Sequence, residues 1–250
     1  MRSYPLQLGF RIAALLSLFM LILTSTSLRA QPALPAATKL YLPLVIDNTP
    51  NVVIRNDRTS RHYWNSRFTS YQTVGEVANL SDQPIYNVKV TLRVYNSDTQ
   101  VLVQSYEELA LLPMTAAGGV NPFKIQWSSS PQGSFDMRTE LSVVWDTSAS
   151  QPTQALSVRS KQIQTVADTV QVIGELEGAA IQPADLVTVA VTIYNANGSL
   201  LDAGAQQSRL AAIGSTASYS VTFYKAYSDL TGITPSQIQV QAQRQPTAQP

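Results

Sequence analysis

"VGEVANLSDQPIYNVKVTLRVYN", Val74 to Asn96, is answered ninety-nine residues later by "IGELEGAAIQPADLVTVAVTIYN", Ile173 to Asn195. Gly75-Glu76 falls on Gly174-Glu175. Val88, Val90, Leu92 and Val94 fall on Val187, Val189, Val191 and Ile193, and Tyr95-Asn96 falls on Tyr194-Asn195. The match runs without gaps as far as Leu102, which meets Leu201. Phe123, Ile125 and Trp127 then meet Tyr219, Val221 and Phe223 at an offset of 96, so the first copy holds three extra residues around "TAAGGVNP". A period near 100 residues is too long for a solenoid unit and has the size of one β-sandwich domain. The chain reads as a duplicated domain.

The period inside each copy is two. Val88, Val90, Leu92 and Val94 alternate with Lys89, Thr91 and Arg93, and the second copy repeats the pattern. Alternation of this kind belongs to a strand with one face inward and one in water. Turn signals separate the strands: "NLSDQP" and "GAAIQP" before them, "NSDTQ" and "NANGS" after them. Asn197-Gly198 suits the positive φ angles of a tight hairpin. No segment after the first thirty residues shows a helical stripe. Short strands with turns every eight to twelve residues predict an all-β sandwich or barrel. "DTSASQPTQ", Asp146 to Gln154, reads as the linker between copies.

Arg2 and Arg11 precede a continuous apolar run, Ile12 to Leu23, and small or polar residues follow to Ala30. This is the pattern of a secretory signal peptide, expected over residues 1–30. Cleavage after Ala30 is the first choice and after Ser27 the alternative. The run of twelve residues is short of the ~18 that a membrane span needs. No transmembrane segment is expected once the signal is removed. Without Arg2, Arg11 and Arg29, 14 basic residues face 16 acidic ones, a net charge of −2. A nucleic-acid binder would show a strong basic excess, so none is expected as partner. The chain has no cysteine, which excludes disulfides, thiolate metal sites and a Cys nucleophile.

The repeat resembles the FxLYD family, small immunoglobulin-like domains of exported and surface bacterial proteins. The resemblance rests on Val74, Gly75, Val77, Asn79, Val88, Val90, Leu92, Tyr95 and Asn96 in the first copy. In the second it rests on Ile173, Gly174, Leu176, Val187, Val189, Val191, Tyr194, Asn195 and Gly198. Gly178 replaces the Asn79 of the first copy, and Val94 and Ile193 stand where the family has Leu before Tyr. The resemblance implies an extracellular β-sandwich and assigns no catalytic residue.

Chemistry is sparse. His62 is the only histidine, so Ser-His-Asp catalysis or a histidine metal site would have to use it. No G-x-S-x-G elbow surrounds a serine. Asp82, Asp98, Asp146 and Asp202 stand singly and read as turn residues rather than calcium ligands. Glu76 and Glu175 share a repeat position, which suggests a shared structural role. Sequons begin at Asn79 and Asn197. The unusual stretch is "RNDRTSRHYWNSRF", Arg55 to Phe68, where the first copy carries five more residues than the second if Ile54 and Val158 are equivalent. Arg58, Arg61, His62, Tyr63, Trp64 and Arg67 form the candidate binding loop. Aromatic rings stack on sugars, and guanidinium groups grip carboxylate or sulfate. The alternative is that Tyr63 or Trp64 plugs the sandwich end or packs between the domains.

The expected fold is therefore all-β: two tandem immunoglobulin-like antiparallel β-sandwich domains after an N-terminal signal peptide. Residues 31–37 form an extended leader, 38–148 the first domain, 150–244 the second and 245–250 a disordered tail. The expected function is a secreted or envelope-associated, non-enzymatic scaffold, spacer or adhesion module without cofactor or metal. The second reading is a binder of glycan, anionic polymer or protein through residues 55–68. Its expected partners are an envelope polysaccharide or a surface protein.

Overall fold

Residues of period two become strands wherever the sequence places them. The computed structural model describes residues 51–65, 68–129, 137–149, 152–177, 182, 184–209 and 216–246. All lie within one compact unit, Asn48–Pro250. The expected signal peptide, the leader and residues 38–50 fall outside the described residues.

The first copy is built from two antiparallel sheets. β1 (Val52–Asn65), β2 (Phe68–Asn79) and β6 (Val120–Ser129) lie in the order β1-β2-β6. β3 (Ile85–Asn96) is the centre of the other sheet. β4 (Leu102–Leu109) and the short β5 (Met114–Thr115) pair with β3, as does β7 (Met137–Asp146). The second copy repeats the plan. β9 (Val158–Val166), β10 (Thr169–Glu177) and β13 (Thr216–Tyr224) lie in the order β13-β10-β9. β12 (Leu200–Arg209), β11 (Leu186–Tyr194) and β14 (Ile238–Gln245) form the other sheet, in the order β12-β11-β14. One strand is added to it: β8 (Gln154–Leu156) pairs with β14. The single helical turn among the described residues is Pro235–Gln237.

Each copy encloses its own core between the inner faces of its two sheets. Val77, Val90, Leu92, Phe123 and Ile125 are buried in the first, and Val172, Val191, Ile193, Val221 and Phe223 in the second. Burial of side chains this large is worth roughly 1.5–3 kcal/mol each. Tyr71 stacks on Trp127 at 4.1 Å between ring centroids, and the indole Nε1–H donates to Thr73 Oγ1 at 3.1 Å. The repeated Gly-Glu pair has a steric cause. Gly75 lies opposite Phe123 and Gly174 opposite Tyr219. A methyl group on Gly75 would overlap the Phe123 ring, and one on Gly174 the Tyr219 hydroxyl and the Ser160 carbonyl.

One register expectation is corrected. Leu102 is opposite Tyr95, whereas Leu200, not Leu201, is opposite Tyr194. The Asn-initiated turn is one residue shorter in the second copy. Asn96 Oδ1 accepts from the amides of Asp98 and Thr99, and Asn195 Oδ1 from those of Asn197 and Ser199. Gly198, at φ 80°, makes the tighter turn possible, and Gln100, at φ 56°, closes the longer one. Asn79 is fully buried and holds its own turn, donating to Gln83 O at 2.7 Å and accepting from Ser81 Oγ at 2.7 Å.

Candidate functional site

The Arg and aromatic stretch is not a loop. β1 runs through it to Asn65, pairing with β2 from Val52↔Asn79 to Asn65↔Phe68. The first copy's extra residues go into a bulge between Arg55 and Arg58, with Asn56 at φ 52°, and into a longer hairpin. The physical reason is the partner strand: β2 is held along Thr69 to Ala78 by β6, so β1 has a fixed ladder to follow. Arg58 and Arg61 are exposed, and the Arg61 guanidinium lies 5.9 Å from the Tyr71 ring centroid. His62 is half-buried, its ring edge-on to Tyr227 of the second copy at 5.5 Å. Tyr227 also shares a 2.9 Å hydrogen bond with Ser70. The expected loop histidine is thus a packing residue between the copies. The side chains of Tyr63 and Trp64, and all of Arg67, lie outside the described residues.

The polar site that the structure does assemble is the seam between the two copies, which the sequence reading missed. The outer face of β2 projects Gln72, Val74 and Glu76, exposed by 0%, 0% and 3%. Asp202, on strand β12 rather than in the turn expected for it, is fully buried beside them. Its Oδ1 accepts from Gln72 Nε2 at 2.9 Å and from Lys124 Nζ at 3.1 Å. The Tyr194 hydroxyl donates to Glu76 Oε1. Glu76 Oε2 accepts from Asn56 at 2.6 Å and Arg55 at 3.3 Å. Val74, Leu200 and Ala203 form a small apolar cluster at the centre. Glutamines of β14 complete the seam: Gln241 donates to Val120 O at 3.1 Å, and Gln243 bonds both the N–H and C=O of Met114 at 3.1 and 2.8 Å.

Burial sets the electrostatics. It pushes the Asp202 carboxyl above its ordinary pKa, against the pull of Lys124 and the hydrogen bonds. Asp202 Oδ2 has no hydrogen-bond partner. Burial, then the bond to Glu76, pushes Tyr194 up to about 12. An ion pair taken out of water gains little net stability, but removal of one member leaves the other stranded. Glu175 keeps part of the role of Glu76, since Arg159 pairs with it at 3.6 Å as Arg55 does with Glu76.

A hollow of about 540 Å³ opens beside Tyr194, lined by Asn195, Gly198, Thr234 and Gln237. A hollow of about 210 Å³ lies between the copies, floored by Leu109 to Pro113 and flanked by Thr188 and Gln207. It presents no acid, base or thiol. Among the described residues no three His, Cys, Asp or Glu side chains group as metal ligands, and no helix is long and apolar enough to cross a membrane.

No family model matches the chain, and no curated protein matches it. Among solved structures the chain is similar to dimeric latent PorU from Porphyromonas gingivalis. That likeness has 13% identity and a TM-score of 0.23, over 84% of this chain and 20% of the other. It is also similar to a red sea bream transglutaminase, with 11% identity and a TM-score of 0.20, over 68% of this chain and 27% of the other. The chain thus spans about a quarter or less of either protein's length, and likenesses at these scores carry no argument about fold or activity.

Proposed function

We propose that this protein is an exported, non-enzymatic structural module. In this reading it consists of two tandem immunoglobulin-like sandwiches of FxLYD type, held at a fixed angle, and serves as spacer or scaffold outside the cell or in its envelope. The observation that carries the reading is the seam. Two modules joined only by a linker would leave the outer face of β2 wet. Here Gln72, Val74 and Glu76 are buried and tied across the seam to Asp202, Leu200 and Tyr194. Polar pairs of this kind specify one docking geometry rather than add much stability. A protein that holds a distance needs such a joint. The apolar run behind Arg2 and Arg11 supports an extracellular site of action.

Two measurements test this. Amino-terminal sequencing of the exported protein is expected to begin at Gln31 or Leu28; an intact Met1 overturns export. Spin labels on Glu108→Cys and Thr165→Cys, the only thiols in the chain, are expected to give one narrow distance distribution. A broad one overturns the rigid joint. A second reading has the exposed Arg58 and Arg61 of β1 gripping an anionic envelope polysaccharide or surface protein. In a sedimentation assay with envelope material, loss of pelleting in a folded Arg58→Ala, Arg61→Ala variant would favour it over the spacer.

A further inference from the structure

The seam joins two unlike surfaces: the outer face of the β2 sheet meets the outer face of the β11 sheet and, through Asp202 opposite Ile193, the edge of β12. Because the chain is a duplication, each face has a register equivalent elsewhere in the molecule. On β10, Gln171, Ile173 and Glu175 occupy the positions of Gln72, Val74 and Glu76. On the β3 sheet, Tyr95 and Leu102 occupy the positions of Tyr194 and Leu200. Gln72, Val74, Glu76 and Leu200 are buried in the seam, and Tyr194 is half-buried beside them. The counterparts of the buried four are more open: Leu102 is 48% exposed, and Gln171, Ile173 and Glu175 are half-buried.

Two further observations single out these faces. Of the nine large apolar side chains exposed among the described residues, seven lie on or beside their strands. Val101, Leu102, Val103, Leu109 and Val144 belong to the β3 sheet or the turn into it, and Val166 and Tyr224 to the β10 sheet. Exposed apolar side chains gathered on particular faces mark interaction surfaces more often than chance. The polar groups also repeat: Arg159 pairs with Glu175 at 3.6 Å as Arg55 does with Glu76 at 3.3 Å, and Tyr95 lies on the β3 face with Arg138 4.7 Å above its ring.

We propose that the protein assembles head to tail. The outer face of the β3 sheet in one copy takes the outer face of the β10 sheet in the next, repeating between chains the contact made within the chain. Ile173 packs on Leu102 as Val74 packs on Leu200, and the Tyr95 hydroxyl donates to Glu175 as that of Tyr194 donates to Glu76. A heterologous contact that does not close on itself grows into an open string. The contact is weaker than the seam, because the charged Lys89 stands where the seam has the buried Thr188. This inference does not depend on export or on the rigidity of the joint.

Sedimentation equilibrium on the purified protein tests it, read beside Leu102→Asp and Ile173→Asp variants shown to be folded by circular dichroism. The wild-type mean mass is expected to rise with concentration past the dimer. Each variant alone is expected to be monomeric, since each has lost one face. An equal mixture is expected to stop at a heterodimer, one intact face meeting the other. If either variant does not fold, Ser105→Arg and Ser220→Arg, at exposed positions on the same two faces, replace them. A wild-type monomer at concentrations near 10⁻⁴ M, the roughly 5.5 kcal/mol limit of a useful contact, overturns the proposal. So does a closed dimer that only one of the two variants disrupts, or assembly that survives both.

Discussion

β2 and β10 are the same strand written twice, and they live in different surroundings. Both put buried residues inward at alternate positions: Tyr71, Thr73 and Val77 in one, Val170, Val172 and Leu176 in the other. Their outward residues differ little, Gln-Val-Glu against Gln-Ile-Glu at alternate positions. Yet β2 is buried continuously from Tyr71 to Asn79, whereas β10 alternates between buried and half-buried. The difference lies in what packs on the outer face. A strand's own sequence decides which side chains share a face, and its neighbours decide whether that face meets water.

Substitutions break this comparison most sharply on the outer face. Val74→Asp buries a second carboxylate beside the Lys124–Asp202 pair and is expected to cost about 4 kcal/mol. Ile173→Asp is expected to cost less than about 1 kcal/mol. Urea unfolding of the two variants checks this, and equal midpoints would sink the account of the seam. Asp202→Ala strands Lys124 and is expected to cost about 3 kcal/mol. Its ladder equivalent Gln104→Ala is expected to stay within about 0.5 kcal/mol.

Inner-face changes sharpen the comparison by removing the difference. Gly75→Ala and Gly174→Ala each drive a methyl into an aromatic partner and are each expected to cost about 2 kcal/mol by thermal melting. Tyr194→Phe removes a donor from Glu76 and is expected to cost about 1.5 kcal/mol, against about 0.5 or less for Tyr95→Phe.

The smallest effect is the pH dependence of Asp202. Its folded pKa is raised above 3.8, chiefly by burial, so the folded state keeps a proton that the unfolded chain has lost. Stability from this group therefore falls as pH rises from about 4 through the folded value and is level above it. Asp202→Asn is expected to flatten that slope in pH-dependent melts. Gln104→Glu, at the exposed equivalent, is expected to add none.

How far the candidate site was legible follows the same division. The repeat and its alternation identified the strands, since period-two patterning depends only on local backbone geometry. The glycines opposite Phe123 and Tyr219 were visible as matched positions, though not the ring contact that requires them. The conspicuous Arg and aromatic stretch invited a loop reading because its charges interrupt the apolar alternation; the ladder with β2 overrode that signal. Asp202 looked like a turn residue because a lone Asp after a turn usually is one. Nothing local announces that Gln72 and Lys124, far away in the chain, meet it. A faint signal was available: Asp202 and Lys124 are charges where the matching positions hold Gln104 and Ser220.

By itself the sequence determined the repeat, the strands and the inner faces, because burial within one copy is dictated by alternation that each copy carries whole. Only the tertiary structure decided which outer faces meet. Docking depends on the sum of small contacts between distant strands, and the same Gln, Val or Ile, and Glu can serve a seam or a wet surface. That choice makes the two copies one jointed body and leaves the β3 and β10 faces as the places where another copy can continue the pattern.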